Sequence, residues 1–173
     1  MELDIRPATE ADLEMILEIY NSAILTTTSV FSYRAHTLAM RQEWFKARQS
    51  ANYPVFVADS AGAILGFATY GPFRTWQAYK YTVEHSVYVA ERARRAGIAR
   101  ALMQRLIAQA RAQEYHAVIG GVVAENVASI RLHQSLGFVE VAHFPEVGYK
   151  FGRWLDLKFF QLLLAFPPHP EES

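Results

Sequence analysis

Glu84 stands inside Thr82-Val83-Glu84-His85-Ser86-Val87-Tyr88-Val89, and soon after it comes the basic turn Arg94-Arg95-Ala96-Gly97-Ile98-Ala99-Arg100. These two stretches have the residue types for chemistry on an amine. An amine is protonated near neutral pH and cannot attack an acyl carbon until it loses that proton, so the reaction needs a base in reach. A carboxylate flanked by Val83 and Val87 has its pKa raised by desolvation and can fill that role. The turn suits a different partner. Small residues feeding a helix start leave backbone N–H groups pointing outward, and the helix dipole adds positive potential there. Gly97 has no Cβ, Ala96 and Ala99 carry only methyls, and Arg94, Arg95 and Arg100 add long-range attraction, which together describe a phosphate site. On residue types alone, an ordinary connection with solvated arginines and a structural ion pair for Glu84 fit as well.

The elements that must hold these residues can be read from periodicity. The run at Thr82–Val89 is rich in β-branched and aromatic residues and predicts a strand. Its alternation puts Glu84, Ser86 and Tyr88 on one face and Val83, His85 and Val87 on the other. From Ile98, apolar residues at 98, 102, 103, 106, 107 and 110 recur at helical spacing. The turn between strand and helix lacks the Gly-Lys-Ser/Thr of a P-loop and the three glycines of a dinucleotide fingerprint. What remains, Arg-x-x-Gly-x-Ala from Arg94, resembles the pyrophosphate loop of the GCN5-related N-acetyltransferases, the GNAT superfamily. A second stretch similar to that family follows about thirty residues on, at 126–138, NVASIRLHQSLGF.

The rest of the chain fits one domain, predicted over residues 1–166, with a disordered tail over 167–173. Lys plus Arg equals Asp plus Glu at 17 each, so no global field holds a nucleic acid or an anionic membrane. The absence of cysteine excludes disulfides, a thiolate nucleophile and cysteine metal sites, and no metal is expected. No signal-peptide core and no membrane-length apolar run is visible, so the expected location is cytoplasmic. A short edge strand is predicted over 1–7, then a helix opened by a Thr9/Asp12 capping box with Leu13, Ile16, Leu17 and Tyr20 on its buried face. Residues 26–34 read as a loop. A second helix over 37–50 brings Leu38, Arg41, Trp44, Phe45 and Arg48 to adjoining positions. Strands at 53–58 and 64–70 form a hairpin, and Phe73-Arg74-Thr75-Trp76 begins an aromatic loop. A strand at Ala117–Val123, a helix at 128–136 ended by Gly137, and strands at 138–144 and 155–164 complete the chain.

This order predicts an α/β GNAT fold: a mixed, mostly antiparallel seven-stranded sheet with four helices on its two faces, splayed at the central strands. Thr82–Val89, the Phe73-Arg74 loop and the late run 147–157 resemble the branch that acetylates phosphinothricin and methionine sulfoximine with acetyl-CoA. The resemblance implies Glu84 as the base. It implies acetyl-CoA held by the main chain of Val87, Tyr88 and Val89, by the turn Arg94, Arg95, Ala96, Gly97, Ile98, Ala99 and Arg100, and by Asn126, Ser129 and His133. An N–H near Val89 would stabilise the developing oxyanion. His133 stands where many members have a tyrosine that protonates the departing thiolate, and so becomes a candidate acid.

For the acceptor, the Arg74 guanidinium suits a carboxylate or phosphinate, with Thr75, Trp76, Ser86, His85 and Phe31 around it and Tyr33 nearby. His85 also fits a core histidine, Asn126 also fits a plain helix cap, and Arg74 also fits a solvated surface residue. The expected activity is N-acetylation of a small amino acid analogue, with a homodimer implied by the resemblance. Acetylation of another small amine or of a protein N-terminus is an alternative, as is a non-catalytic acyl-CoA-binding module.

Overall fold

The structure, a computed structural model, describes residues 3–172. Seven strands and four α-helices follow one another in the predicted order: β1 (Asp4–Pro7), α1 (Leu13–Thr26), α2 (Leu38–Ser50), β2 (Val55–Ser60), β3 (Ala63–Pro72), β4 (Thr82–Val89), α3 (Ile98–Ala112), β5 (Ala117–Val123), α4 (Val127–Ser135), β6 (Val139–Lys150) and β7 (Arg153–Leu163). The strands order as β1-β2-β3-β4-β5-β7-β6 in a mixed sheet. Met1 and Glu2, included in the expected first strand, lie outside the described residues, as does Ser173.

The chain gathers in two compact units. One comprises the residues up to Tyr70 together with Ser86–Leu106. Here β1 pairs antiparallel with β2, and β2 with β3 around a turn in which Ala61 (φ 51°) and Gly62 (φ 85°) take the left-handed backbone of a tight hairpin. The Thr9/Asp12 capping box forms. It opens a single turn of 3-10 helix at Glu10–Asp12, from which α1 continues. Asp12 also takes two hydrogen bonds from Arg6 at 2.8 Å, which hold its carboxyl below the usual range. Leu13, Ile16, Ile19, Ala23 and Ile24 form the buried face of α1, whereas Leu17 and Tyr20, expected there, are only half-buried. Thr37 caps α2 by accepting from the Met40 N–H at 3.2 Å.

The second unit comprises Gly71–His85 and the chain from Ile107 on. The first residues of β4 run parallel to β5, with Thr82 opposite Ala117 and Glu84 opposite Ile119; β5 pairs antiparallel with β7, and β7 with β6. One boundary differs markedly from expectation. β6 continues to Lys150, and Phe151 (φ 52°) with Gly152 (φ 75°) makes the tight turn that pairs Tyr149 with Trp154. A register shift between Phe144 and Gly148 hid this long hairpin, because it breaks the period-two pattern. The described residues past Leu163, 164–172, have no regular structure, although the Glu171 N–H donates to the Tyr81 hydroxyl at 3.0 Å.

Candidate active site

β4 carries the candidate base. Val83 and His85 are buried and Glu84 is half-buried, as alternation requires, whereas from Ser86 on every residue of the strand is half-buried, Val87 included. The Glu84 carboxyl is raised above its ordinary value by burial, and the positive charge of Arg74 opposes part of that rise. Space is kept beside it. Gly121 stands where an added Cβ would lie 3.6 Å from Glu84 Oε1 and 3.5 Å from the Phe159 ring. The β4/β5 register runs no further than Glu84 opposite Ile119, although β4 continues to Val89 and β5 to Val123. The register leaves Val87–Val89 outside the β5 ladder.

The basic turn fits a diphosphate on its own geometry. Arg95 (φ 66°) and Gly97 (φ 78°) both take left-handed backbone, separated by one residue, and such alternation turns successive N–H groups toward one concave side. Arg94, Arg95, Ala96 and Gly97 are exposed, and a Cβ built on Gly97 would meet nothing within 4 Å. Ile98 is buried and anchors α3 immediately behind. The first-turn amides of α3, from Ile98 through Ala99 and Arg100, have no carbonyl one turn back within the helix. An anion as large as the diphosphate of a coenzyme can therefore come up to the main chain here.

His85 and His133 are placed otherwise than their candidate roles require. They are 8% and 2% exposed, their Nε2 atoms are 2.9 Å apart, and their rings stack with centroids separated by 5.0 Å. The protons can be assigned by elimination. His133 Nδ1 lies 2.7 Å from the Ser129 carbonyl oxygen, which only accepts, so Nδ1 carries the proton. His133 Nε2 is then an acceptor, and His85 Nε2–H donates to it. His85 Nδ1 is left bare, buried and without a hydrogen-bond partner. Burial and the neighbouring His133 push the His85 pKa down to about 3; burial also lowers that of His133. Both rings are neutral, and neither presents a proton to a ligand. Asn126 caps α4, its Oδ1 accepting from the Ser129 N–H at 3.1 Å. That cap leaves its NH₂ group uncommitted by this bond.

Arg74 is exposed but fixed: its guanidinium lies 4.1 Å over the Phe73 ring and donates to the Phe73 carbonyl at 2.7 Å. Phe73 in turn packs edge-on against Tyr79 and Phe159. Thr75 and Trp76 follow in the same loop, with Trp76 71% exposed. Phe31 is 46% exposed on the loop after α1.

A pocket of about 570 Å³ is lined by Arg41, Trp44 and Arg48, which periodicity had placed on α2 without giving them a role, and by Met40, Tyr20, Phe67, Ser86 and Tyr88. Its signal in the sequence was two arginines at helical spacing among aromatics. Ser86 lies two positions past Glu84 on the same strand face, a separation of about 7 Å.

The model of the acetyltransferase (GNAT) domain matches residues 5–158. The chain therefore belongs to the GNAT family of acetyltransferases. It is 46% identical over 162 residues to an L-methionine sulfoximine/L-methionine sulfone acetyltransferase of Salmonella typhimurium, covering 94% of this chain and 95% of the relative. It is 36% identical to a phosphinothricin N-acetyltransferase of Streptomyces viridochromogenes, across 97% of this chain and 92% of that one. Among solved structures, an acetyltransferase of Salmonella typhimurium with its cofactor acetyl-CoA superposes with a TM-score of 0.94 at 44% identity, covering 99% and 98% of the two chains.

Proposed function

We propose that this protein is an acetyl-CoA-dependent N-acetyltransferase acting on the α-amino group of a small amino acid analogue, of the methionine sulfoximine, methionine sulfone or phosphinothricin kind. The observation that carries the reading is the half-buried Glu84, raised in pKa, on a strand that leaves the β5 ladder and runs on toward an open amide turn. Coenzyme A supplies the acetyl group as an activated thioester. The amides from Arg95 to Arg100 would hold its diphosphate, and the main chain of Val87–Val89 would lie along its pantetheine as an added strand. Asn126 has amide protons left to offer the same arm.

Glu84 receives the proton of the acceptor ammonium, directly or through one water, and its raised pKa brings it closer to the pH at which the transfer must run. Arg74, held on Phe73, offers its outer N–H groups to the acceptor carboxylate, with Thr75 and Trp76 flanking. His133 has no part in this scheme, because its Nδ1 proton is committed to Ser129. His85 supports β4 from the buried side. The enzyme works in the cytoplasm as a homodimer, formed through the exposed apolar residues Phe144, Val147, Tyr149, Phe151 and Trp154 of the β6–β7 hairpin. Among the described residues no helix is long and apolar enough to cross a membrane.

The test is thiol release from acetyl-CoA with methionine sulfoximine, methionine sulfone, phosphinothricin, polyamines and a peptide N-terminus offered side by side. Turnover of the first three supports the reading. Turnover confined to polyamines or the peptide replaces the acceptor, and acetyl-CoA binding without turnover of anything makes the chain a binding module.

A further inference from the structure

The α2 pocket contains two guanidiniums that the scheme above does not use. Arg41 is 3% exposed, and among the described residues its Nε has no hydrogen-bond partner. Its Nη2 meets His36 Nδ1 at 3.1 Å, while its guanidinium carbon lies 4.1 Å from the Tyr20 ring centroid and 4.5 Å from that of Trp44. Arg48 is half-buried, lies 6.0 Å from the same Trp44 ring and 5.7 Å from Tyr53, and its Nε is also unpartnered. Neither arginine forms an ion pair among the described residues, although Glu43 borders the pocket. Buried arginines are almost always paired, and an uncompensated buried charge is costly. Burial lowers both side chains from their ordinary values, and for Arg41 the Arg48 charge adds to that lowering while a hydrogen bond with Tyr20 opposes it, so the arrangement favours a ligand that brings negative charge or strongly accepting oxygens.

The walls narrow the ligand further. Trp44, Tyr20, Phe67 and Tyr88 are aromatic, Met40 and Ala47 are apolar, and the Thr69 hydroxyl is already spent on the Pro54 carbonyl at 2.7 Å. His36, Glu43 and Ser86 also line it, and the two guanidiniums are the strong cationic donors there for a ligand's accepting atoms. A tetrahedral head with two accepting oxygen or nitrogen atoms on a short aliphatic stem matches, because a guanidinium fork can donate to two such atoms at once.

We propose that the Arg41–Arg48 pocket receives the oxygen-bearing head of the acetyl acceptor and selects sulfone, sulfoximine and phosphinate side chains over plain thioethers. The assignment rests on the N-acetyltransferase reading and on the approach from Glu84 to Ser86 along one face of β4.

The purified full chain is tested with methionine sulfone, phosphinothricin and methionine as acceptors, by thiol release and by calorimetry, with inorganic phosphate as a further ligand. Arg48→Met is the first variant, since Arg48 is the less buried of the pair; Arg48→Lys keeps the charge and tests rescue. The expected result is a fall of about 10- to 100-fold in the kcat/KM ratio of methionine sulfone over methionine in Arg48→Met, carried by KM, with partial recovery in Arg48→Lys. A ratio within twofold of wild type, or equal losses for both acceptors, overturns the proposal. Binding of inorganic phosphate that is lost in Arg48→Met while the acceptor ratio stays unchanged also overturns it, and makes the pocket a free-anion site. If no amine is turned over, the acetyltransferase reading fails separately, and calorimetry decides the pocket: tighter binding of phosphinothricin than of methionine, abolished by Arg48→Met, supports it, and equal binding does not.

Discussion

The neutral His85–His133 pair makes stability fall with acid by an amount that can be worked out. His85 has a folded pKa of about 3 against an unfolded value near 6.5. Above pH 6.5 both states are unprotonated, and the pair costs nothing. As pH falls below 6.5 the unfolded chain takes up a proton that the folded chain refuses, so stability drops by about 1.36 kcal/mol per pH unit until the folded pKa is reached. At pH 4.5 that amounts to about 2.7 kcal/mol from His85 alone, and the lowered pKa of His133 adds in the same direction. For a domain of this size the loss corresponds to about 5–11 °C in melting temperature.

Urea unfolding at pH steps from 7.5 to 4.5 measures it, with a His85→Leu/His133→Met double variant beside the wild type. His36, lowered by burial, and Glu84, raised by burial, titrate in both chains, so the difference between the two curves isolates the pair. The wild-type curve should be steeper by at least about 1 kcal/mol per unit between pH 6.5 and 4.5. Parallel curves, or an NMR titration of His85 with a midpoint near 6.5, would refute both the proton assignment and the burial argument.

Replacing Glu84 by Gln should lower turnover by about 10² or more while acetyl-CoA still binds in calorimetry. In the wild type, the acid limb of the kcat/KM profile should have its midpoint above the ordinary glutamate value, since the carboxyl is raised and works only deprotonated. Gly97→Val puts a β-branched side chain at φ 78° in the amide turn, at a backbone cost of about 1–3 kcal/mol; acetyl-CoA affinity should drop about 10-fold or more, by direct titration. Gly120→Ala drives a Cβ into the Nε2 atoms of both His85 and His133, and because buried rings cannot swing aside it should destabilise by about 1–3 kcal/mol in urea unfolding at pH 7.5.

Where local chemistry decides, the chain could be read directly. Thr82–Val89 and Ala117–Val123 are strands from end to end as expected, because β-branched residues are concentrated in both. The connection from β4 to α3 was legible as a turn because Gly97 precedes the apolar helical run that starts at Ile98. Boundaries failed where a tertiary feature breaks the period, as at the shift between Phe144 and Gly148 that conceals a twelve-residue strand. His133 misled for a related reason. Helical spacing gives the face of α4 on which a residue stands, but not what packs on that face, and only the fold brings Phe138, Phe160 and His85 around the ring.

The α2 pocket shows the same limit from the other side. Arg41 and Arg48 lie seven apart, on one face of a helix whose sequence reads as amphipathic and polar, and a charged residue there is normally solvated. Their significance comes from the absence, among the described residues, of an ion pair to either of them, and that is a property of three-dimensional neighbours that no spacing rule reports. The residue proposed as base thus announces itself by type, whereas those proposed to choose between acceptors emerge only when a buried charge is found without an ion-pair partner.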